Sequence, residues 1–125
     1  MILDSSALLA VLQNEPGASE VVATLEPFSI SAVNLSEVMT KLIQFGIPEM
    51  DAISTLKELN LDIITVDEDI AFLAGSLTRL TRAFGLSLGD RICLATAILQ
   101  SQSALTADRI WADIKHEGLD VIVIR

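Results

Sequence analysis

With 125 residues, 51% of them apolar and 20% charged, the chain has enough material for one hydrophobic core and reads as one domain over 1-125. A formal net charge of −9 and a sequence pI near 4.3 exclude a nucleic-acid binder that relies on a broad basic face, because phosphate attraction comes from clustered Lys and Arg. The single Cys93 excludes a disulfide framework and fits a reducing, cytoplasmic setting, while the apolar start, Met1 to Leu12, lacks a basic flank and carries Asp4 early, which supports neither a signal peptide nor a membrane span.

Met1 to Leu3 reads as a short buried strand, and Asp4 to Gln13 as a helix that Asp4 caps and Asn14-Glu15-Pro16-Gly17 ends. Ala18 to Leu25 continues as a short helix before Pro27. Phe28 to Ile30 is a second strand, and Ser31 is placed to cap a third helix over about Ala32 to Phe45. That helix sets Leu35, Val38, Met39, Leu42 and Ile43 on one face and Glu37, Thr40, Lys41 and Gln44 on the other; Gly46 stops it. Pro48 opens a fourth helix to about Leu59, Leu61 to Val66 is a third strand, and Asp67 caps a helix running to Phe84. Ser87 to Gln102 is apolar almost all round, which predicts the central buried helix. Ala104 to Thr106 is a strand, Asp108 opens a helix to about Glu117, and Val121 to Ile124 is a closing buried strand. Strands and helices alternate with no repeat or linker, which predicts an α/β sandwich around a parallel sheet.

Four acids, Asp4, Glu37, Asp90 and Asp108, each fall where a strand or turn gives way to a helical pattern. In a parallel sheet all such junctions open on one edge, so carboxylates distant in sequence converge there. Gathered carboxylates repel one another and need a compensating cation, and hard oxygen donors favour Mg²⁺ or Mn²⁺. Each acid also has a plainer reading as a helix cap, worth roughly 0.5 to 2 kcal/mol, and both Ser87 to Asp90 and Asn34 to Glu37 have the spacing of a capping box. Asp90 tips the balance, because a charge heading a helix buried on all sides is costly unless paired, with Arg91 as one candidate, or bound to a cation. Glu37 lies on a polar face, and its pattern leaves ligand and solvated residue both open.

The segments Ile2-Leu3-Asp4-Ser5-Ser6-Ala7, Asn34-Leu35-Ser36-Glu37-Val38, Leu86-Ser87-Leu88-Gly89-Asp90-Arg91 and Leu105-Thr106-Ala107-Asp108 together resemble PIN-domain ribonucleases, in particular VapC-type toxins of toxin–antitoxin pairs, across essentially the whole chain. The resemblance implies a three-layer α/β/α sandwich with a mainly parallel five-stranded sheet, and a metal-dependent endoribonuclease that hydrolyses RNA. It implies catalytic roles for Asp4, Glu37, Asp90 and Asp108. Asp4, Asp90 and Asp108 would bind one or two Mg²⁺ or Mn²⁺ ions, Glu37 would bind metal or orient water, and Ser6 and Thr106 would support them with hydroxyls. A homodimer and a cognate antitoxin, whose tail inserts a basic side chain into the acidic pocket, are implied as well.

An acidic cleft on an acidic protein needs basic residues to hold RNA, and Lys41, Arg79, Arg82, Arg91 and Arg109 are the candidates, each equally suited to a surface ion pair. His116, the only histidine, reads as a charge near a helix C-terminus rather than a general base, Trp111 as core, Asp67 as a cap and Asp113 as solvated. Two other classes stay open. A phosphoacceptor receiver domain has similar length and an acidic pocket, although here Asp4 stands alone before two serines and Lys115 falls in the expected helix. A noncatalytic module would keep the fold and pair with an antitoxin or RNA without cleaving.

Overall fold

The computed structural model describes residues 1–23 and 27–125. The chain runs through β1 (Ile2–Leu3), α1 (Ser5–Leu12), α2 (Ala18–Ala23), β2 (Ser29–Ser31), α3 (Ala32–Gln44), α4 (Glu49–Glu58), β3 (Asp62–Ile64), α5 (Glu68–Ser76), α6 (Thr78–Thr81), α7 (Leu88–Gln100), β4 (Ala104–Thr106) and β5 (Val121–Val123), with 3-10 turns at Arg82–Phe84 and Arg109–Asp113. The five strands form one sheet in the order β3-β2-β1-β4-β5, and every pairing is parallel. The chain therefore builds outward from β1 through β2 to β3, then returns to β1's other side with β4. Where strand order reverses in this way, the loops leaving the two central strands part and open a crevice at the strands' carboxyl ends.

The layers follow from the period of two along each strand. Ile2 and Ala104 pack into a cluster with Ile70, Ala74, Leu94 and Trp111, whereas their neighbours Leu3 and Leu105 pack with Ala7, Leu8, Val38 and Leu42. One face is covered by α1 to α4 and the other by α5 to α7, giving three layers. In α7, Ile92 to Ala97 are buried without a break, as expected of the central helix, and Cys93, Ala95 and Ala97 are small enough to let it lie close to the sheet. Trp111 is wholly buried, and its indole Nε1 has no hydrogen-bond partner among the described residues.

Three of the α-helices start with the expected capping chemistry. Ser31 Oγ accepts from the Asn34 N–H at 3.0 Å, and Asp67 Oδ1 accepts from the Ile70 N–H at 2.9 Å. Ser87 and Asp90 form a reciprocal box, with Asp90 N–H donating to Ser87 Oγ at 3.2 Å and Ser87 N–H to Asp90 Oδ2 at 2.9 Å.

Other elements depart from expectation. The long helix after Asp67 is divided into α5, α6 and a 3-10 turn. The helix expected after Asp108 is a 3-10 stretch over Arg109–Asp113, which ends where Ile114 takes up extended backbone and buries in the core beside the wholly buried Trp111. His116 consequently lies in an exposed loop, with Nδ1 2.6 Å from the Glu117 carbonyl oxygen, and complements no helix end. β3 and β5 are sheet edges, each paired on one side only, so Ile63 is 45% and Ile122 39% exposed and β5 is not the buried strand its composition predicts. Leu25, the end expected for α2, lies outside the described residues.

Candidate metal centre

Asp4 directly follows β1 and Asp108 follows β4 after one residue, so the backbone brings both to the crevice where strand order reverses. The Asp4 N–H donates to the Leu105 carbonyl at 2.8 Å, which extends the β1–β4 pairing to the rim. Asp4 occupies the cap position of α1 but makes no side-chain cap bond. Its Oδ2 instead accepts from Ser6 Oγ at 2.6 Å and from Thr106 Oγ1 at 2.9 Å. The same two hydroxyls accept backbone donors of the opposite loop, Ser6 Oγ from Ala107 N–H and Thr106 Oγ1 from Asp108 N–H, each at 3.0 Å. Ser6 and Thr106 thus tie Asp4 to the segment that carries Asp108.

Asp90 and Asp108 each commit one oxygen to a helix start, Asp90 Oδ2 to its capping box and Asp108 Oδ1 to the Ile110 N–H at 3.1 Å. Glu37 differs, because Ser31 is the cap of α3 and Glu37 sits in the second turn. The capping box that Asn34 and Glu37 could have formed is absent. Nor is Glu37 simply solvated: its Oε1 accepts from Ser5 Oγ at 2.6 Å and from Asn34 Nδ2 at 2.8 Å, and its carboxylate rests against Gly89 of α7.

Burial dominates the electrostatics. Asp4 is 4% exposed, and desolvation lifts its carboxyl to about 6 despite the opposing hydroxyls of Ser6 and Thr106, with the charge of Asp90 pushing further up. Asp90 is raised as well, first by burial, with Glu37 and Asp108 adding to it and the bonds to Ser87 opposing. Asp90 therefore stands within the field of the other three acids. Beneath them the Cys93 thiol is pushed well up by burial and by Asp4, Asp90 and Glu37, so it stays protonated.

No Lys or Arg pairs with any of these four carboxylates among the described residues; the Arg125–Glu15 ion pair at 2.9 Å involves other groups. Arg91 is not the partner of Asp90, since its Nη1 donates to the Ala74 carbonyl at 3.0 Å and ties α7 to α5. Arg109 Nε donates to the Arg125 carbonyl at 3.0 Å. Lys41, Arg79 and Arg82 are exposed. Asp67 is engaged as a cap and Asp113 is exposed.

Among the described residues no three His, Cys, Asp or Glu side chains are drawn around a single point that would enclose an ion. The acids share an edge and a field rather than a closed shell. Their chemistry nevertheless fits a hard divalent cation: the donors are oxygens, their charge has no basic counterpart among the described residues, and two of the carboxyls are pushed up by burial and by neighbouring acids. Ser5, Asn34 and Gly89 belong to the site and were not singled out from sequence. Asn34 precedes Glu37 by one helical turn on the same face, which was a usable signal; nothing in the sequence marks Gly89.

The family model for the PIN domain matches residues 1–117. By sequence, no curated protein matches the chain. Among solved structures it is similar to a toxin–antitoxin complex from Klebsiella pneumoniae, with a TM-score of 0.77 and 25% identity over 99% of this chain and 97% of that one. It is also similar to VapBC2 from Rickettsia felis bound to a DNA fragment from its promoter, with a TM-score of 0.75 and 18% identity over 98% and 96% of the two chains. For DNA-bound VapBC from Salmonella typhimurium the TM-score is 0.74 and the identity 14%, over 99% and 97%. The two lower identities speak to the fold alone. A family match that spans all four acids, on a sheet whose strand order brings Asp4 and Asp108 to one crevice, leads to one conclusion: this chain belongs to the PIN domain family.

Proposed function

We propose that the chain is a Mg²⁺- or Mn²⁺-dependent endoribonuclease, hydrolysing RNA phosphodiester bonds as the toxin of a type II toxin–antitoxin pair in the cytoplasm. One observation carries this reading: Asp90 lies in the field of Asp4, Glu37 and Asp108, with no basic side chain paired to any of them among the described residues. Asp4, Asp90 and Asp108 would hold the metal, and Glu37 would bind it or orient water. A divalent ion, when bound, supplies positive charge against the phosphate oxygens and lowers the pKa of the attacking water.

The chain's own residues prepare that chemistry. Ser6 and Thr106 fix the Asp4 carboxylate by two hydrogen bonds, which holds a ligand in place before any cation arrives. With a pKa of about 6, Asp4 is largely ionised at neutral pH, when a ligand must be deprotonated. The buried length of α7 fixes Asp90 from below.

An antitoxin partner is supported by the toxin–antitoxin complexes among the similar structures. It is supported too by an apolar groove of about 620 Å³ between α3, α4 and β3, lined in part by Leu35, Met39, Ile53, Leu56, Leu61 and Ile63, which suits the apolar face of a partner helix. The homodimer rests on the family resemblance. No helix among the described residues is long and apolar enough to cross a membrane. A phosphoacceptor receiver finds no support here, because Lys115 donates to the Ala112 carbonyl at 3.1 Å in an exposed loop and supplies no cation to the acids.

Purified, antitoxin-free protein incubated with structured RNA is expected to cleave in Mn²⁺ or Mg²⁺ and to stop in EDTA. Asp90→Asn is expected to lose on the order of a hundredfold or more in rate. Equal cleavage by both proteins would overturn the reading and point to a contaminating nuclease.

A further inference from the structure

Glu37 owes its place to three residues that bear no charge. Asn34 is wholly buried, and each polar atom of its side chain is engaged: Oδ1 accepts from Ser31 Oγ at 2.5 Å, and Nδ2 donates to Glu37 Oε1 at 2.8 Å and to the Gly89 carbonyl at 3.0 Å. One amide thus spans α3 to α7 and grips the acid between them. Ser5 Oγ, at the start of α1, donates to the same Oε1 at 2.6 Å. The far side of the carboxylate is bounded by the backbone of α7, where a Cβ built on Gly89 would lie 2.2 Å from Glu37 Oε2 and 2.5 Å from its carboxyl carbon. Any residue larger than glycine at position 89 would fill the space that Glu37 occupies.

We propose that Asn34, Ser5 and Gly89 act together as a clamp that positions Glu37 for a divalent cation, with Asn34 the principal positioning residue. This rests on the metal-dependent reading of the acids given above. A free glutamate has three rotatable bonds and, beside Asp90, an electrostatic reason to swing away from the crevice. Two donors on one oxygen and a wall behind the other remove that freedom, and they do so with neutral groups that add nothing to the charge a cation must balance. The backbone carbonyl of Gly89, held by the same amide, fixes the start of α7 and hence the Asp90 that follows it.

The three positions give different signatures if they work through Glu37. Asn34→Ala frees the acid but also leaves Ser31 Oγ and the Gly89 carbonyl without their partner, so the fold is expected to weaken along with metal binding. Gly89→Ala displaces the acid at a smaller cost to the fold. The three nearest atoms that an added Cβ would meet all belong to the Glu37 carboxylate, and alanine suits a helix better than glycine, so the melting temperature is expected to fall less than in Asn34→Ala while Glu37 is driven from its place.

The experiment is calorimetric titration of the full chain with Mn²⁺ alone, with melting followed in EDTA. Asn34→Ala and Gly89→Ala are each expected to weaken Mn²⁺ about tenfold or more, and Ser5→Ala by a smaller factor. In a Glu37→Ala background none of the three should weaken it further. Should Asn34→Ala fail to fold, Gly89→Ala and Ser5→Ala carry the same comparison. Wild-type affinity in Gly89→Ala, or an equal loss with and without Glu37, would overturn the clamp and leave these residues a structural role. A folded wild-type protein that neither binds Mn²⁺ nor cuts RNA would instead remove the nuclease reading on which the clamp rests.

Discussion

Asp4 shows how one side chain is made ready by its surroundings. Its carboxyl is lifted from the ordinary 3.8 to about 6, so the folded chain holds that proton more tightly than the unfolded chain does. The stability it contributes is therefore complete below about pH 4 and is lost as the pH rises through 6, on the order of 3 kcal/mol once fully ionised. Thermal melts in EDTA from about pH 5 to about pH 7.5 are expected to show the wild type losing ground to Asp4→Asn as the pH rises. A difference that stays flat across that range would refute the account. Of the site's residues, Asp4, Asp90 and Asp108 were legible from chain position, since each stands at or just beyond a strand end or helix start. The environment of Glu37 was not, because the Ser5 hydroxyl that holds it comes from 32 residues away and the Gly89 that backs it from another helix. Contacts of that range are made by tertiary packing and leave no mark on local pattern.

Among the elements, α7 carries the most consequence. Its capping box closes both orphan donors at Ser87 and Asp90, so Ser87→Ala is expected to cost about 1 kcal/mol in urea unfolding while the Ser87 N–H continues to hold Asp90 Oδ2. Its middle is sealed from solvent: Ala95 is wholly buried, and Ala95→Leu is expected to destabilise by about 1 to 3 kcal/mol through overpacking. Wild-type denaturation midpoints in both variants would show that neither contact matters. The apolar run of α7 announced its burial plainly. By contrast the 3-10 stretch after Asp108 carries the polar and apolar spacing of an ordinary helix start, and nothing in that spacing marks the tighter winding or the extended backbone that ends it at Ile114. The half-exposure of β5 is unmarked in its composition for a related reason, since Val and Ile signal a strand without saying how many neighbours it will have.

For the whole molecule, alternation of strands and helices was enough to foresee parallel pairing, because each crossover returns the chain to the same end of the sheet. The strand order was not readable, as it depends on which side of β1 the last strands take once α7 has packed. That order is what makes a site, by parting the loops after β1 and β4. A chain of net charge −9 that keeps several carboxylates at this opening should gain stability from any cation it binds. Millimolar Mn²⁺ at neutral pH is expected to raise the melting temperature, by the equivalent of about 2.7 kcal/mol when the ion is at a hundred times its dissociation constant. Asp90→Asn should blunt that rise, and an unchanged melting temperature in wild type would count against metal binding at these acids.

The indole of Trp111 has a practical use. It is the chain's sole tryptophan, it is sealed from solvent, and its ring nitrogen lacks a polar companion among the described residues. Its fluorescence should accordingly be emitted at the short-wavelength end and shift to the red when water reaches it. Because it follows Asp108 by three positions, that colour gives an unlabelled, built-in optical readout of the same segment that supplies an acid to the crevice.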